Sequence, residues 1–221
     1  MQFCKSIIHF GVIGASIVAA SLPARALVVT YTDRDAFLAA LSSSSTDNYN
    51  DLSSGLVTSP LSRTITGYTY NATATDDLVL GTVNGSTVLS TNNSDKALTL
   101  NFTAGAPTAV GGYFFNTDFG FNVLNSVITV TANPGASAQS VVTGSATNFF
   151  GWLDDSGTPF TSLVIVPGAG SPDAYATVDD LVLGQAAPAA QVPGPLPVLG
   201  LVVAFSFSRR LRSRIAAARH R

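Results

Sequence analysis

The 221-residue sequence contains no glutamate, one cysteine and two histidines, and only 11% of its residues are charged. Cys4 and His9 lie near the start of the chain and His220 near its end, so residues 27–187 contain neither Cys nor His. This absence excludes His-based catalytic triads, thiol nucleophiles, disulfides and His-containing zinc sites from the middle of the chain. The carboxylate side chains are thirteen aspartates.

Cations are also scarce in the middle of the chain. Residues 27–187 contain all thirteen aspartates and three cations, so the formal charge of this region is −10. The cations are Arg34, Arg63 and Lys96. A surface of this sign repels phosphate backbones, so we expect no nucleic-acid binding. Asp-dependent glycoside hydrolysis is the remaining catalytic chemistry. Adjacent residues on a strand point to opposite faces, so no Asp doublet is itself a catalytic pair, and we predict that the chain is not an enzyme. The doublets are Asp76/Asp77, Asp154/Asp155 and Asp179/Asp180.

Residues 1–26 have the pattern of an export signal. Lys5 precedes an apolar segment from Ile7 to Ala20, and Ala24-Arg25-Ala26 is a small-x-small cleavage site. We predict cleavage after Ala26, which would also remove Cys4. An uncleaved amino-terminal anchor is the alternative.

The end of the chain combines three different elements. After a linker at 188–191, a proline-rich motif is followed by the apolar run Leu196–Ser208 and by an arginine cluster. The run is short for a membrane span of about 20 residues, and the cluster is expected to stay cytoplasmic by the positive-inside rule. The motif is Val192, Pro193, Gly194, Pro195, Leu196 and Pro197, and the cluster is Arg209, Arg210, Arg212 and Arg214.

This order of motif, apolar segment and Arg-rich end resembles the PEP-CTERM sorting signal of Gram-negative bacteria and cyanobacteria, also catalogued as an ice-binding-protein-like C-terminal domain. Gly194 stands where the name-giving motif has Glu, so residues 192–221 resemble the Val-Pro-Gly-Pro variant. The resemblance implies that an exosortase-type membrane protease recognises the motif, cuts near it and passes the protein to the cell surface or the exopolysaccharide matrix. Membrane anchoring through the C-terminal helix would then be transient.

Residues 27–187 are predicted to form one extracellular domain. One short helix begins after Thr32 or Asp33, with Phe37, Leu38 and Leu41 as its apolar stripe. Short strands with turn signals between them then predict an all-β fold, a jelly-roll-like two-sheet β-sandwich. The predicted strands are 64–72, 76–80, 86–90, 97–102, 109–116, 126–131, 139–144, 148–153, 160–166 and 174–183.

The hexapeptide Asp-Asp-Leu-Val-Leu-Gly occurs twice, at 76–81 and at 179–184. Both faces of such a strand carry apolar residues, so we expect both copies to lie inside a sheet. An internal duplication and a shared way of entering a strand both remain possible explanations.

Two kinds of binding site are candidates. Most of the clustered aromatic residues are expected in the core, with Tyr113 and Trp152 as exposed platforms for sugar stacking. By similarity to carbohydrate-binding jelly rolls, a structural Ca²⁺ is expected where Asp179 or Asp180 meets Asp47 or Asp51. The alternative is that these aspartates only cap strands and make the surface acidic.

The predicted function is that of an exported surface or matrix protein with a structural or adhesive role in exopolysaccharide or biofilm. Polysaccharide binding is the first alternative, and Asp-dependent glycoside hydrolysis is the last.

Overall fold

The structure is a computed structural model that describes residues 28–134, 137–168 and 173–188, with the backbone alone for 137–143. The predicted export signal and the predicted sorting segment lie outside the described residues. Within the described ranges, no helix is both long and apolar enough to cross a membrane.

The described chain forms one short helix and fourteen strands. The helix α1 spans Arg34–Ala39. The strands are β1 (Val28–Tyr31), β2 (Leu41–Asp47), β3 (Gly55–Val57), β4 (Leu61–Ile65), β5 (Tyr68–Thr73), β6 (Leu78–Val83), β7 (Ser86–Thr91), β8 (Leu98–Ala104), β9 (Ala109–Thr117), β10 (Ser126–Asn133), β11 (Ser137–Thr143), β12 (Phe149–Asp154), β13 (Ser162–Pro167) and β14 (Tyr175–Ala186).

The strands form two antiparallel sheets. The larger has eight strands, in the order β1-β12-β9-β14-β7-β6-β3, with β2 also paired to β14. The smaller has the order β11-β10-β13-β8-β5-β4. Strand β14 changes partner along its length, since Thr177 and Val178 pair with β7 while 181–186 pair with β2. A register shift at Asp179 and Asp180 separates the two halves.

The main core lies between the two sheets. Alternate residues of each strand point inward, as the pleat requires. The smaller sheet contributes Tyr70, Leu100 and Ile165, and the larger contributes Phe114 and Trp152, all fully buried. Burying a side chain of this size stabilises the fold by roughly 1.5–3 kcal/mol. The two inner faces therefore hold the sheets together without a disulfide.

Only parts of the outer face of the larger sheet are covered by other segments of the described chain, and the candidate site lies where the cover ends. Helix α1 covers one end, where Phe37 packs on Phe149 with ring centroids 5.5 Å apart. The segment between β9 and β10 covers the middle, where Phe121 packs near Val88 and Phe115. Beyond this cover, towards β3, a pocket opens on the same face.

The predicted two-sheet β-sandwich is confirmed, and nine of the ten predicted strands overlap one observed strand each. The prediction of a single strand over 64–72 is wrong, because the chain turns at Thr66 and Gly67 and forms the β4-β5 hairpin. The helix begins after Asp33 as predicted, but it ends at Ala39, so Leu41 belongs to β2 instead.

Strands β1, β2 and β3 were not predicted from the sequence. β2 contains four consecutive serines and shows no apolar alternation. It forms because the second half of β14 offers a free edge with which it pairs from Asp47 to Leu41. Pairing with a distant strand therefore outweighs a weak local pattern here.

Candidate functional site

Two of the four aspartates expected to bind calcium bind the same arginine. Asp47, which is 2% exposed, accepts hydrogen bonds from Arg63 Nε at 2.9 Å and Nη2 at 2.6 Å. Asp51 accepts from Nη1 at 2.9 Å and from Nη2 at 2.7 Å. The guanidinium is thus held by two carboxylates in bidentate geometry. The hydrogen bond from Arg63 is the largest cause that lowers the pKa of Asp51.

Asp47 also organises a buried polar group. Tyr70 donates its hydroxyl to Asp47 Oδ2 at 2.8 Å, and the backbone N–H of Tyr49 donates to Oδ1 at 3.2 Å. The Tyr70 hydroxyl also lies 3.1 Å from that of Tyr49. Burial raises the pKa of both tyrosines, and the negative charge of Asp47 adds to the effect. This group joins β2, β4 and β5 at one end of the sandwich.

The other two aspartates lie at the bulge of β14, on the outer face of the larger sheet. Asp180 has φ +47°, and its N–H donates to Asp179 Oδ1 at 2.8 Å. Asp180 forms a 3.7 Å ion pair with Arg34. Desolvation raises the pKa of the half-buried Asp179 above its ordinary value, against hydrogen bonds from Ser86 and from the Asp180 backbone.

Three of the four aspartates therefore bind a cation, and Asp179 accepts hydrogen bonds from Ser86 and from the Asp180 backbone. No group of three or more acidic side chains that could hold a metal ion occurs within residues 28–134, 137–168 and 173–188. The arrangement does not fit a calcium site shared by Asp47, Asp51, Asp179 and Asp180, since Arg63 neutralises the first two and Arg34 meets the last.

The remaining Asp doublets bond to turns. Asp154 accepts from the backbone N–H groups of Ser156 at 2.9 Å and Thr158 at 3.4 Å. Asp77 accepts from Ser59 N–H at 3.4 Å, and Asp76 accepts from the side-chain amide of Asn93. These carboxylates stabilise loops between strands.

The prediction that Trp152 is an exposed sugar platform is wrong. It is 0% exposed, because β12 points it inward with Phe150 into the main core. Tyr113 lies half-buried on the outer face, edge-on to Phe149 at 5.9 Å. The guanidinium of Arg34 lies 5.9 Å from the centre of the Tyr113 ring. Arg34 therefore competes with any sugar for this ring.

Exposed aromatic surface lies elsewhere on the same sheet. Phe119 is 81% exposed and Leu56 is 64% exposed, although large apolar side chains are usually buried. Both line a pocket of about 180 Å³. We call it the Phe119 pocket; it is lined by Leu56, Val79, Ser90, Thr91, Asn92, Thr117, Asp118, Phe119, Phe121 and Tyr175.

The loop that carries Phe119 is closed by its own hydrogen bonds. Asp118 N–H donates to the carbonyl of Asn122 at 3.0 Å, and Phe121 N–H donates to the carbonyl of Asp118 at 3.1 Å. The Asp118 carboxylate accepts from the backbone and side-chain N–H groups of Asn122, both at 2.9 Å. These two bonds lower the pKa of Asp118, the side-chain bond being the larger cause. The loop therefore presents its two phenylalanines in fixed directions.

Aromatic side chains and hydroxyl groups meet in the Phe119 pocket. The Phe119 ring lies 6.5 Å from the Tyr175 ring, tilted by 58°. Ser90 and Thr117, which line the pocket, are each bonded to the hydroxyl of Thr177, at 2.9 and 3.1 Å. Strands β7, β14 and β9 supply this row of three hydroxyls. All three hydroxyl-bearing residues are fully buried, so the apolar pocket lies above a closed row of hydrogen-bonded hydroxyls.

The sequence offers one signal for this site. Phe119 and Phe121 flank Gly120 in Asp-Phe-Gly-Phe-Asn, a turn-like segment between two strands. A phenylalanine in a turn has no strand face to direct it into the core. Leu56 and Tyr175 join the site only through sheet pairing, which sequence spacing does not reveal.

Comparison with known proteins returns little. No family model matches the chain, and no curated protein matches it. A solved structure of a mutant of CBM29-2, from a study of ligand recognition by family 29 carbohydrate-binding modules, matches with a TM-score of 0.34 and 12% sequence identity. The match covers 61% of this chain and 93% of that chain.

Proposed function

We propose that the protein is exported to the cell surface or extracellular matrix and adheres there to polysaccharide through the Phe119 pocket. The observation that carries the proposal is the exposure of Phe119, 81%, beside Tyr175 and Leu56 in one pocket. Exposed apolar side chains gathered at one place mark a binding surface.

The chemistry of the pocket suits a sugar better than a purely apolar ligand. Aromatic rings pack against the apolar C–H face of a sugar, and the half-buried side chains of Asn92 and Asp118, which also line the pocket, can hydrogen-bond to its O–H groups. The loop closed by Asp118 and Asn122 holds the ring of Phe119 in place before binding. Preorganisation of this kind lowers the entropic cost of binding.

Charge narrows the class of polysaccharide. Among the residues that the structure describes, Asp118 is the one charged side chain that lines the Phe119 pocket. Its lowered pKa keeps it ionised at neutral pH. A neutral polysaccharide is therefore favoured over one rich in uronate or sulfate groups, which the negative charge would repel.

The binding test uses the full chain, purified in a polyoxyethylene detergent so that no sugar headgroup competes. Affinity electrophoresis against neutral polysaccharides (β-glucan, mannan, xylan and chitin derivatives) and against alginate measures retardation. We expect retardation by at least one neutral polymer and none by alginate. Phe119→Ser should weaken binding about tenfold, given up to about 1.5 kcal/mol for an aromatic contact.

Val166→Ser is the matched control. Val166 is also an exposed apolar residue, 37% exposed, but lies on β13 of the smaller sheet, away from the pocket. This variant should bind like the wild type. Absence of binding to every neutral polymer, or equal loss in both variants, would contradict polysaccharide binding at the Phe119 pocket.

The sorting part of the proposal is supported by the sequence of the tail alone. Replacing Pro193, Gly194 and Pro195 by Ala should leave an unprocessed form in the membrane fraction. Mass spectrometry of the wild-type surface fraction should find chains that lack the Arg-rich end. An intact surface chain that extends to Arg221 would exclude processing at this motif.

A further inference from the structure

A second pocket adjoins the Phe119 pocket on the other side of Phe121. It has a volume of about 490 Å³ and lies between the β6-β7 turn, the Asp118–Asn122 loop and the segment before β12. We call it the Asn84 pocket; it is lined by Thr82, Val83, Asn84, Gly120, Phe121, Asn122, Val123, Gly144, Ser145 and Ala146.

Phe121 is the one residue that lines both pockets. Its backbone has φ +62°, and its ring lies so close to Gly81 of β6 that a Cβ atom built there would be 2.2 Å from the ring. Glycine at position 81 is what allows the ring to lie on the strand. The ring of Phe121 therefore lies on the sheet between the two pockets and separates them.

Strand β6 runs beneath both pockets. Val79 lines the Phe119 pocket, Gly81 lies under Phe121, and Val83 lines the Asn84 pocket. At a rise of about 3.3 Å per residue, Val79 and Val83 are roughly 13 Å apart. The two pockets thus form one elongated groove parallel to β6.

The volumes indicate that the Phe119 pocket alone is too small for a whole ligand. Ligand sites usually have about 300–1,000 Å³. The Phe119 pocket, at about 180 Å³, is below this range, whereas the Asn84 pocket, at about 490 Å³, is within it. An end of a ligand fits the first, and the second has room for its continuation.

The lining of the Asn84 pocket carries polar groups and no charge. Asn84, Asn122 and Ser145 offer amide and hydroxyl groups, and no Asp, Arg or Lys among the described residues lines this pocket. Such groups both donate and accept hydrogen bonds, as sugar hydroxyls do. A charged polymer would find no counter-charge there.

We propose that a neutral oligosaccharide chain crosses Phe121, with its apolar sugar face on Phe119 and Tyr175 and its continuation hydrogen-bonded in the Asn84 pocket. This inference rests on the proposed polysaccharide binding and adds the direction of the chain, its minimum extent of more than one sugar unit, and its lack of charge.

The test measures how affinity depends on chain length. Isothermal titration of the full chain uses neutral cello-, laminari-, manno-, xylo- and chito-oligosaccharides of increasing length. In a series that binds, affinity should rise about tenfold from the shortest to the longer members, because hydrogen bonds of about 0.5–1.5 kcal/mol each form in the Asn84 pocket.

The Asn84→Gly/Ser145→Ala variant should erase this rise and leave binding of the shortest member unchanged. Glycine accepts the positive φ of residue 84, +51°, so the β6-β7 turn is kept. Phe119→Ser, in contrast, should weaken binding at every length. Fluorescence of the single tryptophan, Trp152 in the core, verifies that each variant is folded.

The outcomes separate the two proposals. If sugars bind but affinity does not rise with length, or if the double variant keeps the rise, the extended groove is refuted and polysaccharide binding stands. If no series binds, both are refuted. If no series binds and Phe119→Ser converts a dimer to a monomer in sedimentation, the groove is an interface between two copies of the chain.

Discussion

Replacing Arg63 by Met should strongly destabilise the fold. The change removes four hydrogen bonds between the guanidinium and the carboxylates of Asp47 and Asp51. The two carboxylates differ in their exposure to solvent. Asp47 is 2% exposed and cannot be rehydrated, whereas the Asp51 side chain is 64% exposed.

The magnitude follows from that difference in exposure. Breaking a buried ion pair by removing one partner costs about 3–5 kcal/mol, because the other charge stays buried. An exposed pair contributes about 0–1 kcal/mol. Arg63→Met should therefore cost about 3–5 kcal/mol and Asp51→Asn less than about 1 kcal/mol. The larger loss is a major part of the 5–15 kcal/mol typical of a domain.

Urea unfolding of the full chain, followed by the emission of Trp152, measures these free energies. A second change identifies the cause. In the Arg63→Met background, Asp47→Asn removes the buried charge. Its oxygen can still accept from the N–H of Tyr49, and its NH2 group can donate to the oxygen of the Tyr70 hydroxyl, which can rotate. The double variant should be more stable than Arg63→Met alone. A cost below about 1 kcal/mol for Arg63→Met, or no recovery in the double variant, would refute the reasoning.

Two further predictions concern other aspartates. The pKa of Asp179 is raised by desolvation, so its charge opposes folding at neutral pH. Asp179→Asn should raise the urea midpoint at pH 7. This gain should shrink as the pH falls through the folded pKa and vanish below the unfolded pKa of about 3.9, where both states are protonated; a gain that does not depend on pH would contradict this cause. Asp33 caps α1 by accepting from Ala36 N–H at 2.7 Å, so Asp33→Ala should cost about 0.5–2 kcal/mol and Asp33→Asn much less, with equal losses excluding the cap.

The fold was largely predictable because alternation along a strand is local. In β5, for example, Tyr68, Tyr70 and Ala72 alternate with polar residues, and all three are buried. Alternation does not indicate where one strand ends and the next begins. Ile65 and Tyr68 both point into the core on either side of a tight turn, so two strands looked like one.

The candidate site was less predictable because it depends on which side chains a loop or a second layer covers. In β12, Phe150 and Trp152 face the main core, while Phe149 faces outward and is buried by Phe37 of α1. Both faces of that strand are therefore covered, which alternation in β12 alone cannot indicate. Phe119 is exposed because the hydrogen bonds of its loop direct it away from the sheet.

The aspartates expected to bind calcium do not form one cluster, for a related reason. β2 and β14 do pair, and Asp47 lies opposite Leu181, so the strands that carry Asp47 and Asp180 are neighbours. The carboxylate of Asp47 nevertheless binds Arg63 of β4 and not a group on β14. The guanidinium of Arg63 binds the carboxylates of both Asp47 and Asp51. No pattern in the sequence indicates that Arg63 lies between them.

The repeated hexapeptide shows how much a local pattern can determine. Both copies lie inside the larger sheet, as predicted, and Leu78, Leu80, Leu181 and Leu183 all belong to the main core. The aspartates before these leucines differ. Asp76 and Asp77 precede β6 and bind Asn93 and Ser59 in two other loops, whereas the second pair lies at the bulge where β14 exchanges β7 for β2.

A one-residue slip would turn either leucine pair to the outer face, so the inward leucines are strongly specified by the hexapeptide. The bulge is different, because it depends on a strand that lies far away in the chain: between Asp179 and Val182, β14 has one residue more than β9. Asp180 lies in this stretch, and its positive φ is typical of a bulge. The shared sequence therefore specifies a shared inward face, and the acidic residues before it adopt whatever geometry the adjacent strands impose.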